Sequence, residues 1–514
     1  MLLLLRIAFL KEVLIVVNEG LEQNMVPQPD APGWGKWEWM FLIMALLIAG
    51  CYFFAHFPCF FAEKCHFPGI GWTISQWIFI AVSLFAAKSK RKLYIKGNPG
   101  GVFLLCAALL LGACYAVFSD ESMRWMNMPV YFLATASSLF SLSGVNPFPA
   151  LSASGLRMGL KRFFPSHFIH WLLPFQAMKH IKVQKYRRYF SHIAIGLIIG
   201  FPAAAIAICL LSSADAYFGS IVQSCFQSMD QINGDYLIRM LCTLALGMCL
   251  FSFLCAAAGK PFQPSEKKTY HASSVVLVTV LIMVGTVYAL FVYVQFKYLF
   301  WGAEKIIQET GYAEYARSGF FQLAALAFLT LLLIFPFLSL GKESRPVRFL
   351  CAMTALLTVI IDYSAFLRMK LYIQAFGLSI LRVVTLWGML MILVALTASV
   401  VKCVRPTVSI CPVLTVLALC TWIALNWGNI DRMVARYQVN SFNRGMLTQL
   451  DIAYLSALSP DVLPELERIS DEHIRTQALS EVRKAFSQYY PRPYDWSLSW
   501  LKVNCGDRQE GNAR

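Results

Sequence analysis

The chain has 514 residues, 58% of them hydrophobic and only 14% charged, against about 25% charged in a soluble domain, and its mean hydropathy is +0.59. So few charges could not cover a soluble fold of this length; disorder, collagen and a small disulfide scaffold are equally excluded, which leaves a multi-pass membrane protein. The net charge of +16 gathers in short loops between apolar runs, which reports membrane topology and not nucleic acid.

In chain order, Met1–Asn18 is apolar but broken by Arg6, Lys11 and Glu12 and is followed by no small-residue cleavage site. Residues 1–38 therefore read as an interfacial or cytoplasmic segment, or an over-long start, in preference to a signal peptide. A spanning helix needs about 20 predominantly apolar residues. Trp39–Phe57, Gly69–Ala87, Gly101–Phe118, Met126–Gly144 and His192–Ser212 qualify, followed by Leu237–Ala258, Ser274–Tyr293, Phe320–Leu340, Phe349–Lys370, Gly377–Val401 and Ser409–Trp427. The expected architecture is all-α: a polytopic transmembrane bundle of about eleven spans over 39–427.

Loop charges orient it. The second connection carries Lys88, Lys90, Arg91, Lys92 and Lys96 without an acid, and the sixth, eighth and tenth are basic too. Odd connections hold acids: Asp120 and Glu121, then Asp215, Asp230 and Asp235, then Glu304, Glu309 and Glu314. Lys and Arg stay on the cytoplasmic side, so the N-terminus is expected inside and the C-terminal segment outside. The ninth connection breaks the rule with Arg368 and Lys370. The fourth, residues 146–191, is too long for a turn. Phe168, Trp171, Leu172 and Phe175 fall at helical spacing there, before a basic run containing Lys179, Lys182, Lys185, Arg187 and Arg188. An amphipathic interfacial helix facing anionic lipid head groups accounts for both; a phosphate-bearing ligand is the alternative.

Residues 428–514 turn polar and helical in pattern, as expected of a small extracytoplasmic helical domain. Ser459, Pro460 and Asp461 read as a helix start with a capping hydroxyl, Val462, Leu463 and Leu466 as its apolar face, and Asp471–Tyr489 as a second helix.

The P-loop pattern, HExxH and GxSxG are absent, so no ATP-driven transport, zinc metalloprotease or α/β-hydrolase is expected, and no cofactor; other enzyme chemistry stays open. Cys51, His56, Cys59, Cys65 and His66 could supply zinc or copper ligands. Their spacing matches no known finger, and a Cys59–Cys65 disulfide or plain interface packing reads better, so no metal is expected.

Five stretches, Tyr312–Leu323, Asp362–Arg382, Asn429–Asn440, Leu450–Leu466 and Trp496–Val503, resemble an uncharacterised, domain-of-unknown-function family of bacterial polytopic membrane proteins. The resemblance implies a bacterial cytoplasmic-membrane protein with a helical extracytoplasmic tail, and no reaction. On the expected topology Arg317 and Gln322 enter the eighth span from outside, Arg368, Tyr372 and Arg382 line the ninth connection, and Asn429 and Asp431 leave the eleventh span. Asp362 lies a few residues deeper, where a carboxylate is costly unless paired or facing a wet cavity; Arg368 or Arg382 is its expected partner. These eight residues form the candidate ligand site. Tail docking is the plainer reading of the same cluster. A transporter or lipid-handling permease for an anionic ligand, an enzyme acting on a lipid-linked or envelope substrate, and a non-catalytic scaffold or sensor whose tail binds an envelope partner all remain open.

Overall fold

The computed structural model describes residues 36–56, 69–90, 93–171, 173–174, 234–261, 273–301, 320–340, 344–447, 449–487 and 497–498. The expected fifth span His192–Ser212, the basic run Lys179–Arg188, Arg317, residues 1–35 and most of the Cys/His cluster lie outside them. Among the described residues every element is helical and no strand occurs.

The N-terminal half holds α1 (Lys36–Gly50, continued by a π turn Cys51–His56), α2 (Ile70–Lys90), α3 (Pro99–Val117), α4 (Glu121–Leu142), α5 (Ala153–Ser166) and α6 (Gly234–Ala257). The C-terminal half holds α7 (Ser274–Trp301), α8 (Phe320–Leu340), α9 (Arg345–Phe376), α10 (Ile380–Val404) and α11 (Ile410–Trp427). Local chemistry sets several starts. Asn98 accepts the Gly101 N–H at 2.9 Å ahead of Pro99 in the first turn of α3, and Asp120 accepts the Met123 N–H at 3.0 Å to cap α4, each filling an otherwise orphaned donor.

Eight described helices are long and apolar enough to cross a bilayer: α2, α3, α6, α7, α8, α9, α10 and α11. The first expected run appears as the shorter apolar helix Trp37–Phe53. The fourth is a helix, α4, but of another kind. It lacks the apolarity of the other spans and is largely interior, burying Tyr131, Ala134, Thr135, Ser137 and Ser138. Ser138 Oγ bonds back to Thr135 O at 2.7 Å, which satisfies a hydroxyl without water.

The bundle has two chemically distinct ends. At the basic end Tyr94 N–H donates to Leu142 O at 2.8 Å, Asn98 Nδ2 donates to Ser141 Oγ at 2.7 Å, and Lys90 pairs with Glu38. At the other end Phe118, just past α3, meets Trp427 of α11 edge to face at 6.2 Å.

After α11 the chain forms α12 (Ile430–Asn443), α13 (Ile452–Ser456), a 3-10 turn (Pro460–Val462), α14 (Leu463–Leu466) and α15 (Glu472–Ser487). Val434, Leu455, Val462, Leu466 and Val482 from these share one apolar cluster with Met123, Met369 and Ile373, so this tail packs on the bundle through a continuous core. The expected helix start at Ser459 is modified. Its hydroxyl caps nothing, the chain takes one 3-10 turn before α14, and the Ser459 N–H is held by Asp431 Oδ2 at 2.8 Å.

Candidate functional site

The polar residues singled out in the sequence separate into two neighbourhoods. The first lies between α7 and α9. Ser364 and Arg368, one turn apart on α9, both donate to Gln295 Oε1 of α7, at 3.1 and 3.4 Å. Asp362 lies two residues before Ser364 and is only 2% exposed; its Oδ1 meets no donor. The expected ion pair with Arg382 is not formed. Arg382 donates through Nη1 to Phe376 O at 3.0 Å and to Gly377 O, and its guanidinium lies 4.3 Å from the Tyr372 ring centroid, a cation–π contact. Arg382 and Tyr372 thus staple the turn joining α9 to α10. That turn needs Gly377, whose φ is +77°, in the region glycine adopts without a Cβ penalty. Gln322 is exposed on α8, away from these contacts.

The second neighbourhood is the seam where the tail meets the ends of α3, α4 and α11. Asn429, in the left-handed region at φ 49°, caps α12 by accepting the Arg432 N–H at 3.2 Å. Asp431, in the first turn of α12, turns back into the seam and is 1% exposed. Its carboxyl lies within hydrogen-bonding reach of the Asp120 carboxyl. Asp120 Oδ1 holds the α4 cap and Asp431 Oδ2 holds Ser459 N–H, while Asp120 Oδ2 and Asp431 Oδ1 meet no donor group. Burial, and then the neighbouring Asp431 charge, push the Asp120 pKa up to about 8; burial raises Asp431 as well.

Around this pair Arg124 Nη2 donates to Tyr115 O at 2.8 Å and Phe118 O at 2.6 Å. Trp422 Nε1 donates to Asn127 Oδ1 at 3.2 Å, and Asn426 Nδ2 to Trp422 O at 2.8 Å. A cavity of about 20 Å³ opens beside Asp120, with Arg124, Asn127, Asn426 and Ser459 among its lining. That is room for one water molecule. Farther out, Glu465 of α14 binds Arg432 Nε and Arg468 Nη1, both at 2.9 Å. Burial opposes its charge, but the two guanidiniums outweigh this and hold its pKa below the ordinary value.

Of the sequence candidates, the structure therefore brings Arg382 and Tyr372 together, and Asn429 and Asp431 together, but leaves Asp362 apart from both. Gln295, Arg124 and Asn127 escaped the sequence reading, while Ser459 entered it only as a helix cap and Asp120 only as a topology marker. One signal was present: Asp120, Arg124 and Asn127 fall at i, i+4 and i+7, one face of the helix that begins there.

Among the described residues, an all-helical bundle with eight membrane-length apolar helices defines a polytopic membrane protein. No curated protein and no solved structure matched the chain. The chain belongs to the family described as domain of unknown function DUF4153, whose sequence profile matches residues 105–469. The matched stretch contains Asp120, Asp362 and Asp431.

Proposed function

We propose that this protein is a proton-linked permease of the bacterial cytoplasmic membrane, with Asp362 as the proton-carrying group and Arg368 as the cation that meets an anionic cargo or lipid head group. The observation that carries the reading is Asp362 itself. It lies buried in a membrane-length helix with Oδ1 bare of donors, while of the two cations the sequence offered it Arg382 is spent on backbone carbonyls and Arg368 donates to Gln295 Oε1. A carboxyl kept in hydrocarbon without a pairing cation is costly, and such groups mark ion and proton pathways. The polar strip Gln295–Ser364–Arg368 leads from it toward the tail end. Positive-inside orientation puts that end outside the cell. On the basic side α5 exposes Leu160 and Phe164 beside Arg157 and Lys161, which suits a helix lying among anionic head groups.

The test is solid-supported-membrane current from reconstituted protein on jumps of inorganic phosphate, a dicarboxylate and a phosphorylated sugar under a proton gradient. At least one should evoke a current that Asp362→Asn abolishes and Arg368→Gln weakens. If a folded Asp362→Asn protein gives wild-type currents, the permease reading falls. A scaffold whose tail recruits an envelope partner is the second reading, favoured by the extent of tail docking through Gln438, Tyr454 and Glu465.

A further inference from the structure

We infer that Asp120 and Asp431 form a binding site for a single proton at the seam between bundle and tail, and that its occupancy locks the tail helices onto the bundle. The inference is independent of the role assigned to Asp362.

Geometry and charge both call for the proton. Each carboxyl commits one oxygen to a backbone N–H, Met123 for Asp120 and Ser459 for Asp431. The remaining oxygens are buried without a donor while the two groups lie within hydrogen-bonding reach of each other. Two carboxylates so placed cannot both stay ionised, and one shared proton turns the repulsion into a hydrogen bond. A second observation points to the same site. Ser459 Oγ, 6% exposed and in no hydrogen bond of normal geometry, lies beside the Asp431 carboxyl and belongs to a residue lining the water-sized cavity that Asp120 also lines. One water there gives the proton a way in and out. The proton leaves the water for an Asp120 or Asp431 oxygen on docking and returns to it on release.

The other charged and titratable groups facing the pair are few. Arg124 of α4 is directed to Tyr115 O and Phe118 O and offsets one negative charge but not two. Cys114 and Tyr115 of α3 stand by the cavity, Asp461 of the 3-10 turn adds negative charge beside Asp431, and Tyr454 of α13 feels both carboxyls. No histidine or lysine lies among the described lining residues.

The sign follows from proton counting. Docked, the pair holds its shared proton until about pH 8; released, each aspartate reverts toward the ordinary value of 3.8. Between those values the docked form carries one proton more, so docking is complete in acid, weakens as pH rises, and stops changing above the upper value.

The experiment is hydrogen–deuterium exchange of the full-length protein in lipid nanodiscs, corrected for intrinsic exchange, followed over the amides of Ile430–Asn443 and Leu455–Ile469. Protection should fall roughly tenfold per unit of pH and level off near the folded value of about 8. In Asp120→Asn the amide donates to Asp431 permanently, and the step should vanish with protection retained. Should that variant fail to fold, infrared difference spectra of the wild type decide: a protonated-carboxyl C=O band must disappear over the same pH interval. Protection indifferent to pH, an Asp120→Asn protein with the wild-type midpoint, or a dependence on NaCl in place of pH each overturns the proton site.

Discussion

At the scale of single residues, two backbone conformations hold the tail end in shape. Gly377 ends α9 at φ +77°, and a Cβ there would meet nothing closer than 3.5 Å. Gly377→Ala therefore pays for conformation alone, about 1–2 kcal/mol, read as a lower melting temperature in detergent with the fold retained. Asn429, at φ 49° and ψ 73°, occupies the left-handed helical region and caps α12 with its side chain. Asn429→Ala loses both advantages and should cost more than Asn429→Gly, which keeps the conformation and forgoes only the cap, a difference of about 1 kcal/mol in the same melts. Reversal of that order would remove the backbone argument.

At the scale of elements, α12 and α14 are tied by Glu465, whose 2% exposed carboxylate takes one bond from each of two half-exposed arginines. Glu465→Gln should loosen α14 by about 1–2 kcal/mol, since the arginines left behind are solvated. Because its folded pKa is depressed, its contribution is present above the ordinary glutamate range and is lost as pH falls through the folded value. Acid should therefore raise proteolysis between α14 and α15 in the wild type but leave Glu465→Gln unchanged. The elements also show how far sequence reasoning reaches. Spans were legible because apolarity over about 20 residues is a local property. The character of α4 was not: hydropathy registers an apolar run but cannot tell a lipid-facing wall from an interior helix whose serines bond their own backbone. The seam was harder still, because its members come from distant parts of the chain, as with Trp422 and Asn127, 295 residues apart. The expected Asp362–Arg382 pair failed for a local reason. Gly377 turns the chain so that its own carbonyl captures the guanidinium.

At the scale of the whole molecule, lysines gather at one end of the bundle and buried acids at the other, where Arg124, Arg382, Arg432 and Arg468 also lie. Lys90, Lys96, Lys161, Arg348 and Lys402 belong to the basic end, and Asp120, Glu121, Asp431 and Glu465 to the tail end. By the retention of Lys and Arg on the cytoplasmic side, we propose that the basic end faces the cytoplasm and the tail end the outside. Asp461→Cys should accordingly react with a membrane-impermeant maleimide added outside intact cells, in a background with native thiols replaced, whereas Lys96→Cys should react only after permeabilisation. Labelling of both from the same side would reject the orientation.

The 32 residues of α9 make a rod about 48 Å long, against a hydrocarbon thickness of about 30 Å. Asp362 stands within the rod, and the tail holds the turn just beyond its far end, where Gln438 donates to Leu378 O and the Tyr454 hydroxyl accepts the Ile380 N–H. A stiff rod longer than its solvent tilts when the bilayer thins, and this one cannot tilt without carrying the tail with it. A thinner bilayer is thus expected to shift the tail's posture and the depth of Asp362 together, because one stiff helix carries both.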